Sequence, residues 1–122
     1  MVSAIVIDDD LDVRETLAEF LRIKNVDVLG TGKDGKEALA LFKNHNPDVV
    51  IMDIMMPNYD GMYGLKEILK FNSKAKVIMI SASIARQSKH ELYDKGAFAV
   101  LSKPYDINEV VQIITQAQRI SN

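Results

Sequence analysis

The stretch Val6-Ile7-Asp8-Asp9-Asp10-Leu11-Asp12 places four carboxylates in five positions directly after an apolar run. Further along, Asp53 follows Val49-Val50-Ile51-Met52, Ser81 follows Val77-Ile78-Met79-Ile80, and Lys103 lies just past Phe98-Ala99-Val100-Leu101. Carboxylates that share a site cannot all stay ionised without a compensating cation. A hard divalent ion with oxygen ligands supplies that charge. Mg²⁺ suits the set better than Ca²⁺, because it keeps several waters and needs only a few carboxylates. Lys103 adds a point charge suited to a phosphoryl oxygen, and Ser81 adds a hydroxyl donor. A carboxylate nucleophile, a metal and a lysine are together the parts that phosphoryl transfer to an aspartate requires.

These residues can meet only if the chain brings them together. Five short apolar runs, Ala4-Ile5-Val6-Ile7, Val26-Asp27-Val28-Leu29 and the three named above, are rich in β-branched residues and mostly continuous. Strands buried on both faces of a parallel sheet read this way. The second run is the most polar and suits an edge. Amphipathic segments alternate with the runs. Val13, Leu17, Phe20 and Leu21 form one stripe on a first helix. Ala38, Leu39, Leu41 and Phe42 mark a second, which should stop before Pro47. Leu65, Ile68 and Leu69 mark a third. A fourth runs from Ile84 to Lys95, closed by Gly96. Ile107, Val110, Val111, Ile114 and Ala117 stripe a fifth, with Asp106 placed to cap it.

Strands alternating with helices predict an α/β fold, a doubly wound five-stranded parallel sheet with helices on both faces. Five strands fit the order 2-1-3-4-5, whose ligand crevice opens between strands 1 and 3. Asp8, Asp9 and Asp53 would then face one another across that crevice, with Ser81 and Lys103 on one side. The second strand ends in the uncharged pair Thr31-Gly32, and this order places it outside the crevice.

Composition narrows the function classes. The 122 residues suit one domain spanning 1–122, and no output domain follows the fifth helix, so the expectation is a stand-alone protein or a piece of a longer one. A net charge of -2 gives no electrostatic case for nucleic acid or anionic membrane. The absence of cysteine excludes disulfides and thiolate metal sites. No signal-peptide layout opens the chain and no apolar run is long enough to span a bilayer, which fits a cytoplasmic protein.

Other readings compete for the same residues. Asp10 and Asp12 read as helix-start residues, suited to capping and to the helix dipole. Taken singly, Asp8 and Asp9 read equally well as caps, Asp53 as a turn residue, Ser81 as a small strand-end residue and Lys103 as a surface lysine. Their joint placement on one sheet edge favours a site. Asp48 opens the third strand on the opposite edge, Asp60 belongs to a turn with Gly61, and His45 and His90 read as solvated helix residues. Asp8, Asp10, Asp12 and Glu19 match four positions of a calcium loop, but Val13 stands where the sharp turn needs Gly. A haloacid-dehalogenase-like phosphatase would also place acids after its first strand, and Asp8-Asp9-Asp10 resembles that motif in part.

With these residues in place, the chain resembles a response-regulator receiver domain, the CheY-like family of two-component signalling. The resemblance covers essentially the whole sequence. It rests on the ordered set Ile5-Val6-Ile7-Asp8-Asp9, Val50-Ile51-Met52-Asp53-Ile54-Met55-Met56-Pro57, Asp60-Gly61, Ile80-Ser81-Ala82, Gly96-Ala97 and Lys103-Pro104.

The resemblance implies a phosphoacceptor switch, not an enzyme, which assists only its own aspartyl phosphorylation and dephosphorylation. Asp53 would take a phosphoryl group from a sensor histidine kinase or a phosphotransfer protein. Asp9, Asp53 and the backbone carbonyl of Met55 would bind Mg²⁺ directly, with Asp8 acting largely through water. Lys103 would pair with Asp53 and then with the phosphoryl group. Ser81 would move to hydrogen-bond a phosphoryl oxygen, reshaping the face of the fourth helix, fifth strand and fifth helix for a downstream protein or an attached output domain. The family implies no direct nucleic-acid binding by such a domain and allows a phosphorylation-dependent dimer. The Lys103-Pro104 bond is expected to be cis, and Met55 and Ser83 to line the path of water to the phosphoryl group. Receivers commonly carry Tyr or Phe three residues before the lysine. Val100 stands there in this chain, and the nearby aromatics Phe98 and Tyr105 do not occupy the matching position.

Overall fold

A computed structural model describes residues 1–82 and 86–121, without the side chains of 86–88 and 121. Ser83 and the expected helix start at Ile84 lie outside the described residues. Strands and helices alternate as β1 (Ser3–Ile7), α1 (Leu11–Ile23), β2 (Asp27–Gly32), α2 (Gly35–His45), β3 (Val49–Asp53), α3 (Gly61–Phe71), β4 (Val77–Ser81), α4 (Arg86–Asp94), β5 (Ala99–Ser102) and α5 (Ile107–Ser121). The strands form one parallel sheet in the order β2-β1-β3-β4-β5. This is the expected doubly wound α/β architecture.

Period-two alternation along buried strands divides the core into two layers. Ala4, Val6, Val49, Ile51, Ile78, Ile80 and Ala99 face one way and pack on Leu17, Ala18 and Leu21 of α1 and Val110, Ile114 and Ala117 of α5. Ile5, Ile7, Val50, Met52, Val77, Met79 and Val100 face the other way and meet Ala38 and Phe42 of α2, Leu65 and Ile68 of α3, and Leu92 of α4. Both faces of the sheet are therefore covered, which explains why the runs of β1, β3, β4 and β5 are continuously apolar.

Acidic caps set where the helices begin. Asp10 opens α1 by accepting from the N–H groups of Asp12 and Val13, Asp34 opens α2 through Glu37 N, and Asp60 opens α3 through Tyr63 N. Asp106 accepts from Asn108 N at the start of α5. Each satisfies donors that the first helical turn leaves without partners. The expected stops hold as well: α2 ends ahead of Pro47, with Asn46 in the left-handed region (φ 46°), and Gly96 (φ 103°) follows α4. Asp48 lies on the opposite edge, as expected, where its Oδ2 accepts from Ser3 N at 2.8 Å.

Four expectations are corrected. β2 starts at Asp27 and not at Val26, and it ends at Gly32 as expected, its pairing with β1 carrying it through the weak strand formers Gly30 and Gly32. β5 begins at Ala99 and not at Phe98, and it runs through Ser102 as expected. Phe20 does not join the buried stripe of α1 but is 49% exposed, and Ala18 takes the buried place instead. Ile113, which the stripe of Ile107, Val110, Val111, Ile114 and Ala117 leaves out, packs against the core, whereas Ile120 is exposed.

Candidate functional site

The C-terminal ends of β1, β3, β4 and β5 deliver Asp8, Asp53, Ser81 and Lys103 to one edge of the sheet. One oxygen from each of Asp8, Asp9 and Asp53 lies within 4.8 Å of the others, so the three expected acids do meet. Asp8 and Asp53 are buried, while Asp9 is exposed.

Asp8 is held on several sides. Its backbone N–H donates to Gly32 O at 3.0 Å, extending the pairing of β1 with β2. Oδ1 accepts from Asp10 N at 2.9 Å, and the backbone oxygen accepts from Arg14 Nη1 at 3.2 Å. Oδ2 lies 3.4 Å from Lys103 Nζ. Asp53 closes β3, and its Oδ1 accepts from Ile54 N at 3.0 Å while Oδ2 lies 3.6 Å from Lys103 Nζ. Lys103 thus spans both buried acids. Its own backbone N–H donates to Ser81 O at 2.8 Å, which ties the β4 and β5 ends together. The Lys103-Pro104 bond is cis.

Beneath Asp53 the backbone comes unusually close to α3. Gly61 N donates to Ile54 O at 2.8 Å, and a Cβ at Gly61 would collide with the Asp53 carbonyl and stand 2.8 Å from Ile54 Cα. Only glycine permits that approach. The Asp60-Gly61 pair is therefore both the cap of α3 and a support for the strand end that carries Asp53.

The electrostatics follow from this packing. Burial pushes the Asp53 carboxyl above its ordinary value, and neighbouring Asp8 and Asp9 push the same way against the opposing pull of Lys103 and the Ile54 hydrogen bond. Burial works against the Lys103 charge, but Asp53 and Asp8 outweigh it and raise its pKa overall. The Tyr105 phenol is raised by burial, with Asp8 and Asp53 adding to the effect against Lys103. Among the described residues, one ammonium faces three clustered acids, which leaves negative charge in excess. Three hard oxygen donors at this spacing fit a small divalent cation, which would relieve that excess.

The remaining acids have other tasks. Asp10 spends its side chain on the α1 cap, and Asp12 and Glu19 lie on that helix. This removes Asp10 as a catalytic acid and removes the calcium-loop geometry. His90 pairs with Asp94 within α4 in an exposed position. Met55 is 71% exposed just beyond Asp53, at the rim of the crevice. Arg14 borders the site without having been expected there, and Tyr105, noted above as an aromatic near the lysine, lies beside Lys103 and the acids as well. No spacing rule points to either one.

A family model described as the response regulator receiver domain matches residues 4–115. Protein CcdB of Bacillus subtilis is 34% identical over 116 residues, covering 95% of this chain and 97% of that protein. Transcriptional regulatory protein PdtaR of Mycobacterium tuberculosis is 34% identical over 93% of this chain, which spans only 55% of that longer protein. Among solved structures, the CheX-CheY-BeF3-Mg²⁺ complex from Borrelia burgdorferi contains a chain with a TM-score of 0.90 and 33% identity, over 96% of this chain and 89% of that one.

Proposed function

The chain belongs to the response regulator receiver family of two-component signalling, and we propose that it works as a Mg²⁺-dependent switch phosphorylated on Asp53. Receivers of this kind act as signalling switches in a phosphorelay rather than as conventional enzymes. One observation carries the assignment. Asp53 closes β3 with its carboxylate 3.6 Å from Lys103 and within reach of Asp8 and Asp9; Asp8 shares that setting, and the family match at Met52-Asp53-Ile54-Met55-Met56-Pro57 favours Asp53 as the acceptor.

In the proposed transfer, a carboxylate oxygen of Asp53 attacks the phosphorus of a phosphohistidine on a kinase or phosphotransfer protein. An O–P bond forms and the N–P bond breaks, with its electron pair leaving on the imidazole. Charge builds on the phosphoryl oxygens, where Lys103 supplies a fixed positive group and the Ser81 hydroxyl supplies a hydrogen bond. Asp8, Asp9 and Asp53, with the Met55 carbonyl, would hold the cation, which would neutralise phosphoryl charge when bound. The similar CheY chain is found in a complex with BeF3 and Mg²⁺, and a tetrahedral beryllium fluoride mimics a phosphoryl group. That correspondence supports the reading.

The output step is a population shift driven by contacts that exist only after phosphorylation. Ser81 is drawn toward the phosphoryl oxygen and alters the α4-β5-α5 face for a downstream protein or an attached output domain. The metal requirement is tested with acetyl phosphate as donor. Labelling is expected with Mg²⁺ and is expected to vanish in EDTA; undiminished labelling in EDTA contradicts the metal role.

A further inference from the structure

The free edge of the sheet is closed by a side chain from α4. In parallel pairing, alternate residues turn their N–H groups toward the neighbouring strand. Lys103 N donates to Ser81 O, so Val100, three residues earlier, turns its N–H away from β4. Since β5 is the last strand of the sheet, that amide has no strand to meet. It donates instead to the Tyr93 hydroxyl at 3.1 Å.

Tyr93 lies one residue from the end of α4 and is 45% exposed, whereas its neighbour Leu92 is buried in the same core layer as Val100. The helix therefore docks on β5 through an apolar plug and a hydroxyl. Apolar contacts tolerate sliding, but a hydrogen bond weakens steeply once its distance or angle is lost. The Tyr93–Val100 bond is thus the element of this contact that depends on where α4 sits. It also links the two segments that carry the phosphoryl-facing groups, since α4 follows Ser81 by five positions and Val100 precedes Lys103 by three.

We propose that Tyr93 is a positioning residue that fixes α4 on β5 in the resting form, and that phosphorylation of Asp53 frees its hydroxyl from the Val100 amide. The proposal rests on the phosphoaspartate reading and adds the contact through which α4 responds. Removing the hydroxyl weakens the resting form without touching the acids or Lys103. By linkage, the population shifts toward the phosphorylated-like form by about fivefold, the scale of one net hydrogen bond.

The test uses the full chain, amide hydrogen exchange by ¹⁵N NMR, and beryllium fluoride with Mg²⁺ as the probe. In the wild type, the Val100 amide should be protected before loading and exchange about fivefold faster after it. In Tyr93→Phe, that amide should exchange fast from the start, and beryllium fluoride should bind about fivefold tighter. A role in stability alone would not tighten that affinity, so unchanged or weaker binding overturns the proposal. If loading shifts the Asp53 and Ile54 amides while Val100 stays protected, the latch is wrong and the phosphoaspartate reading stands. If loading shifts neither Asp53 nor Ile54, both are wrong. The wild-type comparison decides the matter even if Tyr93→Phe fails to fold.

Discussion

Lys103 Nζ stands 3.6 Å from Asp53 Oδ2, while the same ammonium reaches Asp8 Oδ2 at 3.4 Å. A lysine held between two buried acids competes with a metal for their charge and is also placed to meet a phosphoryl oxygen. These two tasks separate in a single variant. Lys103→Ala should lower phosphoryl transfer to Asp53 by about a hundredfold, the scale of one lost transition-state donor. Mg²⁺ should bind the same variant a few-fold tighter, because a competing cation has gone. Stopped-flow labelling and calorimetric Mg²⁺ titration read the two effects independently. Mg²⁺ binding that falls along with transfer would place Lys103 in a structural role.

The raised pKa of Asp53 predicts how metal-free stability depends on pH. Its carboxyl holds a proton more tightly in the folded state than in the unfolded chain, chiefly because it is buried. Such a group contributes stability that is complete below the unfolded value of 3.8 and is lost as pH rises through the folded value. Asp53→Asn lacks that loss. The metal-free variant should therefore be more stable than the wild type at neutral pH, with the difference fading as pH falls below 3.8. Urea melts at acidic and neutral pH, with and without Mg²⁺, check this. Mg²⁺ should stabilise the wild type and leave the variant nearly unchanged.

Gly61 offers a third prediction, which concerns the support beneath the site. An added Cβ meets the Asp53 carbonyl and Ile54 backbone, and backbone cannot swing aside as a flexible side chain can. Gly61→Ala should cost about 2 kcal/mol of stability, within the usual range for overpacking. It should also slow Asp53 labelling more than Gly30→Ala does. At Gly30 the nearest contact is the end of the Leu41 side chain. Denaturation midpoints and labelling rates of the two variants make the comparison.

Much of this architecture is legible in the chain because β1, β3, β4 and β5 are covered on both faces. Burial on both sides writes continuous apolar runs, and the polar residue that ends each run is then conspicuous. Asp8, Asp53, Ser81 and Lys103 were found in that way. β2 is harder to read, since an edge strand needs fewer apolar residues and its second half is held by pairing with β1. Phe20 was misplaced because it sits at the border of the α1 stripe. There it lines a groove with Val13, Leu17, Tyr105 and Ile107 instead of entering the core. The contacts of Arg14 with the Asp8 carbonyl and of Tyr93 with the Val100 amide leave no periodic trace. Each depends on where a backbone group points, which follows from strand pairing and not from side-chain pattern. The family resemblance leaves Val100 as a departure from the usual aromatic. The structure places a tyrosine hydroxyl on the backbone of that same residue.

The division of labour among the acids is the centre of the account: Asp8 and Asp9 hold charge, and Asp53 accepts the phosphoryl group. Its most direct test is to phosphorylate the wild type and Asp53→Ala with acetyl phosphate and Mg²⁺, then locate the acyl phosphate by mass spectrometry after trapping. The account predicts a single phosphoryl group on Asp53 in the wild type and none on the variant. Equal labelling of Asp53→Ala, or a wild-type label on Asp8 or Asp9, would contradict it.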